Sequence, residues 1–306
     1  MDATIIICTF NRAESLQRTL ESLRQMSVPS ELKWELVVVD NNSADNTRTA
    51  VEEFARSAGF NVRYLFEPRQ GLCHARNSGV VNAGGEIIAF TDDDALVARE
   101  WLRQLSHTFR EFDCTGAVGK SVPAWNGLQK PGWLLTAGRY RIGQGPLLSF
   151  DLGEETKPTR IPGWGLNMAF RRWAFVKYGF FRTDLDLSGS SRLLGGDTEF
   201  GKRLIRAGEK IIYSPKAIVF HPVSAKRITK SYFLSYSFNH GRTCIREERW
   251  PRGAVLYLGV PRYLFRGFIA NCVRWLASLN RERRFYYKLR AYSSLGEIVE
   301  ARKLRS

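Results

Sequence analysis

The chain has 306 residues, 44% of them hydrophobic, and a formal net charge of +16; that is enough apolar material for one substantial domain with an appended helical region. Its five cysteines (Cys8, Cys73, Cys114, Cys244 and Cys272) are scattered without C-x-x-C spacing, and no cleavable signal precedes the first apolar run. A reducing cytoplasmic setting is therefore expected, with no disulfide framework and no zinc site.

Residues 3–8 read as a buried strand, broken by Thr9-Phe10-Asn11-Arg12 ahead of a helix that sets Leu16, Leu20 and Leu23 on one face. A strand over Glu35–Val39 ends at Asp40 in the polar cluster Asn41-Asn42-Ser43. Residues 45–58 suit a helix, Val62–Phe66 a strand, Gly71–Ala83 a helix, and Glu86–Phe90 a strand that runs into Thr91-Asp92-Asp93-Asp94. This alternation predicts a mostly parallel, doubly wound α/β sheet. Ligands of such sheets gather beyond the carboxyl ends of the strands, where Asp40 and Asp92–Asp94 would project. From Gly116 to about Pro162 periodicity fades among glycine, proline and tryptophan, and irregular, substrate-facing structure is expected. Regular elements resume at Gly163–Arg172, a short strand leading into a helix. A further helix opens at Gly195-Gly196-Asp197, and two small strands, Ile211–Tyr213 and Ala217–Phe220, close at His221-Pro222.

Asp92 and Asp94 lie two apart in a strand-like segment, so both carboxylates can face one side while Asp93 faces the other. Two convergent carboxylates suit a hard divalent cation, which also bridges a diphosphate; a solvated turn or a helix cap is the alternative. Asp40 can accept from a base or ribose, or belong to a turn with Asn41–Ser43. Arg69 and Arg76 flank the Gly71 turn and can meet phosphate or cover surface. Asp197 can take the proton of an incoming hydroxyl or cap its helix, and Glu199 is a weaker candidate of the same kind. His221 can ligate a metal or touch diphosphate, or be structural. Trp164 and Asn167 can offer a stacking face and an amide to a sugar, and Trp164 can equally belong to the core.

In their order along the chain, the segments "TIIICTFNRAESLQRTLESL", "WELVVVDNNSADNT", "PRQGLCHARNSG", "GEIIAFTDDDA", "GLNMAFRRWAF" and "GGDTEFGKRLIRAG" resemble the family 2 glycosyltransferases with the GT-A fold, over roughly residues 3–222. The resemblance implies a catalytic domain over 1–222, with a nucleotide-binding half to about 115 and an acceptor-binding half from about 116, followed by a basic helical extension over 223–306. It implies transfer of a sugar from a nucleotide donor, commonly a UDP-sugar, with inversion. Thr9 and Asp40 would hold the nucleoside, with Arg69 and Arg76 near uracil or diphosphate. Asp92 would contact ribose or the metal shell, and Asp94 would be the principal Mn²⁺ or Mg²⁺ ligand with His221 as a partner. Asp197 would be the general base, and Asn167 would lie near donor sugar or acceptor. The family's usual Glu-Asp pair is Gly196-Asp197 here, which removes one acceptor-binding carboxylate. A pyrophosphorylase would carry a glycine-rich, lysine-bearing loop that "CTFNRAES" lacks; a catalytically inactive sugar-nucleotide-binding or scaffolding protein is the remaining alternative.

Residues 222–306 carry 18 Lys/Arg against five Asp/Glu, a net +13. Within Ala254–Leu279 an apolar aromatic series is broken by Arg262, Arg266 and Arg274 on one helical face, with Leu258, Phe265, Ile269 and Trp275 away from it. Three mid-segment arginines oppose a spanning helix and favour an interfacial one. Peripheral contact with anionic membrane through residues 254–290 and a glycan or lipid-linked acceptor are expected, on the cytoplasmic face of the inner membrane. Packing on protein is the alternative. No nucleic-acid module accompanies the patch.

Overall fold

The computed structural model describes residues 1–304 except 186, 189, 190 and 194. In chain order the elements are β1 (Ala3–Thr9), α1 (Ala13–Arg24), β2 (Trp34–Asp40), α2 (Thr47–Ser57), β3 (Asn61–Phe66), α3 (Leu72–Asn82), β4 (Ile87–Asp92), β5 (Leu96–Val97), α4 (Trp101–Glu111) and β6 (Gly116–Ala124). There follow β7 (Lys157–Thr159), β8 (Met168–Arg171), α5 (Arg172–Tyr178), β9 (Leu187–Ser188), β10 (Ser191–Arg192), α6 (Gly196–Arg206), β11 (Ile211–Pro222), α7 (Lys230–Glu247), β12 (Leu256–Tyr257), β13 (Val260–Pro261), α8 (Arg262–Leu276) and α9 (Arg281–Lys303). They gather into two compact units. The first comprises Met1–Ala124, Leu148–Gly189 and Gly196–Pro222; the second comprises Trp125–Leu147, Ser190–Gly195 and Val223–Ser306.

The first unit is built on a sheet in the order β3-β2-β1-β4-β8-β6-β11-β5, with β7 pairing on β11. Strands β1 to β4 are parallel, β8 runs antiparallel between β4 and β6, and β6 and β11 are parallel again. β-Branched residues fill the central strands, which are buried on both faces, as parallel strands covered by helices must be. The pleat sorts their side chains: Ile5, Ile7, Leu36 and Val38 meet α1 and Trp101 on one face, while Ile6, Val37 and Val39 share the other with Phe90, Phe170, Phe175 and Phe200.

Two expectations for this unit are corrected. Residues 116–124, expected to be irregular, form β6, an interior strand; its Gly116 and Gly119 carry no side chain for a periodicity to register. The two strands expected over 211–220 are one strand, β11, with a register shift between Ser214 and Ile218. That irregularity is fastened by Asn167, whose amide donates to the carbonyls of Lys120 (2.8 Å) and Ala217 (2.9 Å) and accepts from the Trp101 indole (2.8 Å).

In the second unit, α9 packs along both α7 and α8. The α7–α9 crossing is close because it is glycine-lined: a Cβ on Gly241 would fall 1.9 Å from the Ser293 carbonyl oxygen, and one on Gly296 2.0 Å from that of Phe238. Glu300, fully buried, pairs with Arg242 (2.8 Å) and Arg246, so the buried charge is compensated. Leu134 and Leu147 from the 125–147 segment are buried with Phe233, Phe285 and Leu289, and the Trp133 ring stands edge-on to Phe233 and Phe285. Within the 254–279 segment the helix begins at Arg262, directly after Pro261, and residues 256–261 form the β12–β13 hairpin.

Candidate active site

Strand register assembles the site. Thr9 is paired with Asp40 across β1–β2, and Cys8 with Asp92 across β1–β4, so three of the anticipated residues stand in a row at the carboxyl ends of adjacent strands. The chain leaves β1 towards β2 on one side and returns at β4 on the other, which makes this the switch point where open α/β sheets bind ligands. After Asp94 the chain forms β5, whose Leu96 and Val97 pair antiparallel with Phe220 and Val219 of β11. That pairing brings His221 to the aspartate cluster, its Nε2 lying 3.5 Å from Asp94 Oδ1.

β4 ends at Asp92, so Asp93 and Asp94 lie in the turn beyond it rather than in a continuing strand; Asp92 and Asp94 are partly exposed and Asp93 is buried. The Arg12 guanidinium, which the sequence reading did not single out, stands over this cluster, with one nitrogen 3.0 Å from Asp93 Oδ1 and 3.2 Å from Asp94 Oδ2. Its position at the first polar turn after β1 is the signal that could have found it. Arg76 is buried, 3.7 Å from Asp92 Oδ1, and its charge is also felt by Asp197. Arg76 thus sits between the acidic strand end and the acidic helix start.

Asp197, in the first turn of α6, accepts from the Gly165 backbone N–H at 2.6 Å. A Cβ on Gly165 would meet the Arg76 guanidinium at 2.2 Å and Asp197 Oδ2 at 2.5 Å, so only glycine lets these two charged groups converge on the backbone there. Gly196 has a similar constraint: a Cβ would lie 2.3 Å from Cys73 Sγ on α3. The absent acceptor-motif carboxylate therefore coincides with a position where α6 packs against α3 with no room for a side chain.

The other anticipated residues divide. Asp40 is buried; one oxygen accepts from the Ser43 N–H (2.9 Å) and the other from the Tyr64 hydroxyl (2.7 Å). Burial, and then this contact, raise the Tyr64 pKa. Asn41 binds the carbonyls of Glu67 and Arg69 and the N–H of Gly71, fixing the loop that carries Arg69. Arg69 is itself exposed and held by Glu67 through 2.8 and 3.0 Å bonds, and this pairing draws the Glu67 pKa down to about 2. Trp164 is half-buried, its indole donating to the Ser149 carbonyl. Two expectations give way to structural roles. Asn167 is buried with its amide consumed by the bonds described above. Glu199 is buried in a two-point pair with Arg203, which also donates to the carbonyls of Tyr178 and Phe180 and so ties α6 to the end of α5.

The donor set fits a hard divalent cation by its chemistry: two carboxylates on the open side, an imidazole beside one of them, and negative charge crowded into a partly desolvated corner. Among the described residues no three His, Cys, Asp or Glu side chains gather to enclose an ion by themselves, so an ion held here would draw further ligands from phosphate oxygens and water. Burial pushes the Asp92 carboxyl up to about 6; Arg76 pulls it down, Asp94 and Asp93 push it up, and His221 pulls it down. Burial likewise raises Asp93. A carboxyl raised above its usual 3.8 favours the fold when protonated, so this contribution is present below the unfolded pKa and is lost as pH rises through about 6. Cation binding runs the other way, because it must displace those protons. Calorimetric Mn²⁺ affinity is expected to rise steeply from roughly pH 5 to 7 and then flatten; a flat profile would contradict the assignment of these carboxylates.

Fold and site together define a GT-A glycosyltransferase, and comparison with known proteins agrees. In overall fold the chain is similar to a mannosyltransferase of Pyrobaculum calidifontis solved with GDP-Man and Mn²⁺ (TM-score 0.57, 19% identity, 98% of this chain and 73% of that one). It is also similar to Staphylococcus aureus TarS 1–349 solved with UDP (TM-score 0.56, 18% identity, 100% and 91%). In sequence it is 31% identical over 238 residues to the succinoglycan biosynthesis protein ExoM of Rhizobium meliloti, covering 78% of this chain and 72% of the relative. It is 26% identical to a glucosyl-dolichyl phosphate glucuronosyltransferase of Haloferax volcanii, covering 79% and 75%. Residues 4–175 match the profile described as glycosyl transferase family 2. The chain belongs to the family 2 glycosyltransferases.

Proposed function

We propose that this chain is an inverting, metal-assisted transferase that moves a sugar from a UDP-sugar to a hydroxyl of a glycan or lipid-linked acceptor at the cytoplasmic face of a membrane. The observation that carries the reading is the convergence of two acidic centres on Arg76: Asp92 from the strand end and Asp197 from the helix start. The names of similar proteins support a nucleotide-sugar donor, through complexes with UDP and with GDP-Man, and a glycan or lipid-linked acceptor, through succinoglycan biosynthesis and a dolichyl phosphate.

In this reading Thr9 and Asp40 hold the nucleoside at the ends of β1 and β2, and Arg69 closes over it from the loop fixed by Asn41. Asp92, Asp94 and His221 would hold Mn²⁺ or Mg²⁺, which when bound neutralises charge developing on the leaving diphosphate. Asp197, oriented by the Gly165 N–H, takes the proton of the acceptor hydroxyl as its oxygen bonds to the anomeric carbon and the bond to the diphosphate oxygen breaks. Trp164 offers an apolar face near the same backbone segment.

A single displacement inverts the anomeric centre. With an α-linked donor the product is expected to be β-linked, read from the anomeric coupling in a proton NMR spectrum. An α-linked product would refute the single displacement, and donor binding without transfer to any acceptor would favour an inactive binding protein.

A further inference from the structure

The second unit presents an apolar surface to solvent that its own packing leaves uncovered. Along α8, Leu264 is buried and Phe265 half-buried, in a cluster with Ile298 and Leu304 of the α9 end of the chain. The opposite stripe, at successive spacings of four and three, is Arg262, Arg266, Ile269, Val273 and Leu276, all exposed. Ile269 therefore shares the arginine face, where the sequence pattern had set it apart. Leu279, just beyond the helix, is 99% exposed.

The hairpin feeding α8 continues this pattern. Tyr257 and Val260 pair across a two-residue turn, Leu258-Gly259, with φ of 51° and 80°. Such turns take Asn or Gly, because a left-handed backbone strains a branched side chain. Here leucine occupies the strained position and is 73% exposed, beside an exposed Tyr257. A strained, solvent-facing leucine at a turn tip stabilises nothing in the unit itself.

We infer that the Leu258 turn and the outer face of α8 form the surface by which this chain inserts into an anionic lipid bilayer. The turn and the Ile269–Leu279 stripe enter the acyl boundary, and Arg262 and Arg266 meet lipid phosphates. The region's net +13 supplies the charge complementarity, and among the described residues no helix is long and apolar enough to cross a membrane. A second copy is a poorer occupant: an antiparallel two-fold contact through this stripe would bury Arg262 and Arg266 of each copy against Leu276 and Val273 of the other, with no carboxylate in the stripe to pair them. The inference rests on the reading of a membrane-proximal transferase for its purpose, but its test needs neither donor, metal nor acceptor and so fails independently of that reading.

The test is co-sedimentation of the full chain with phosphatidylcholine vesicles and with vesicles of equal parts phosphatidylcholine and phosphatidylglycerol, at low and high salt. Binding to the anionic vesicles only, weakened by salt, is expected. Leu258→Asn should lower that binding roughly tenfold while leaving thermal stability equal or higher, since it relieves the turn; Arg262→Gln/Arg266→Gln should lower it by tenfold or more. Absence of binding to anionic vesicles, or unchanged binding in both variants, would overturn the inference. So would sedimentation velocity showing a dimer that Ile269→Ser/Leu276→Ser dissociates, which would assign the face to a second copy.

Discussion

Asp197→Asn is expected to lower turnover by about 10²–10⁴-fold, the usual worth of a positioned general base, with donor affinity changed little. Asparagine keeps the shape and can still accept from the Gly165 N–H, a 2.6 Å bond in the parent, so the loop and helix start should hold. What it removes is the lone pair that receives the acceptor proton. The loss should therefore appear in kcat, and donor titrations should overlay those of the parent. A variant that retains turnover would dismiss Asp197 as the base. One that loses donor affinity in step with turnover would make it a donor contact instead.

Arg76→Met is expected to be the most damaging single change in the first unit. The guanidinium is buried and lies in the field of both Asp92 and Asp197; methionine fills similar space but leaves the two carboxylates without that positive charge. Removing one member of a buried charge set costs on the order of 3–5 kcal/mol. The cost should depend on pH in a definite direction. Asp92 takes up a proton near pH 6 even with Arg76 present, and higher without it, so the destabilisation shrinks as pH falls and neutral Asp92 ceases to oppose Asp197. Denaturant unfolding of parent and variant at acid and neutral pH checks this. A variant as stable as the parent at neutral pH would mean that Arg76 is not the compensating charge.

The parts of this molecule that could be read from its sequence are those where one residue type has one physical use. The apolar runs of β1, β2 and β4 and the acidic residues at their ends predicted both the sheet and the place of Asp40 and Asp92, because strand ends at a switch point are a place as well as a pattern; Thr9, in the same row, entered only through the family resemblance. β6 was hidden because its glycines and its proline carry no apolar period, although its pairing with β8 and β11 makes it interior. The roles of Asn167 and Glu199 were equally illegible. A buried amide that pins a strand irregularity and a carboxylate that clasps an arginine one helical turn away use the same side chains as a sugar site, and only their partners tell them apart. Arg12, Tyr64 and Gly165 were missed for a related reason: each acts through a neighbour distant in sequence, namely Asp93 and Asp94, Asp40, and Asp197.

The most direct test of the account is calorimetry of the purified chain with UDP-, GDP- and dTDP-sugars, each with and without Mn²⁺, repeated on Asp94→Ala. The account predicts binding of the UDP-sugars, dependent on Mn²⁺ and lost in Asp94→Ala. A folded protein that binds none of these donors, or that binds them equally well without metal and without the Asp94 carboxylate, would contradict it.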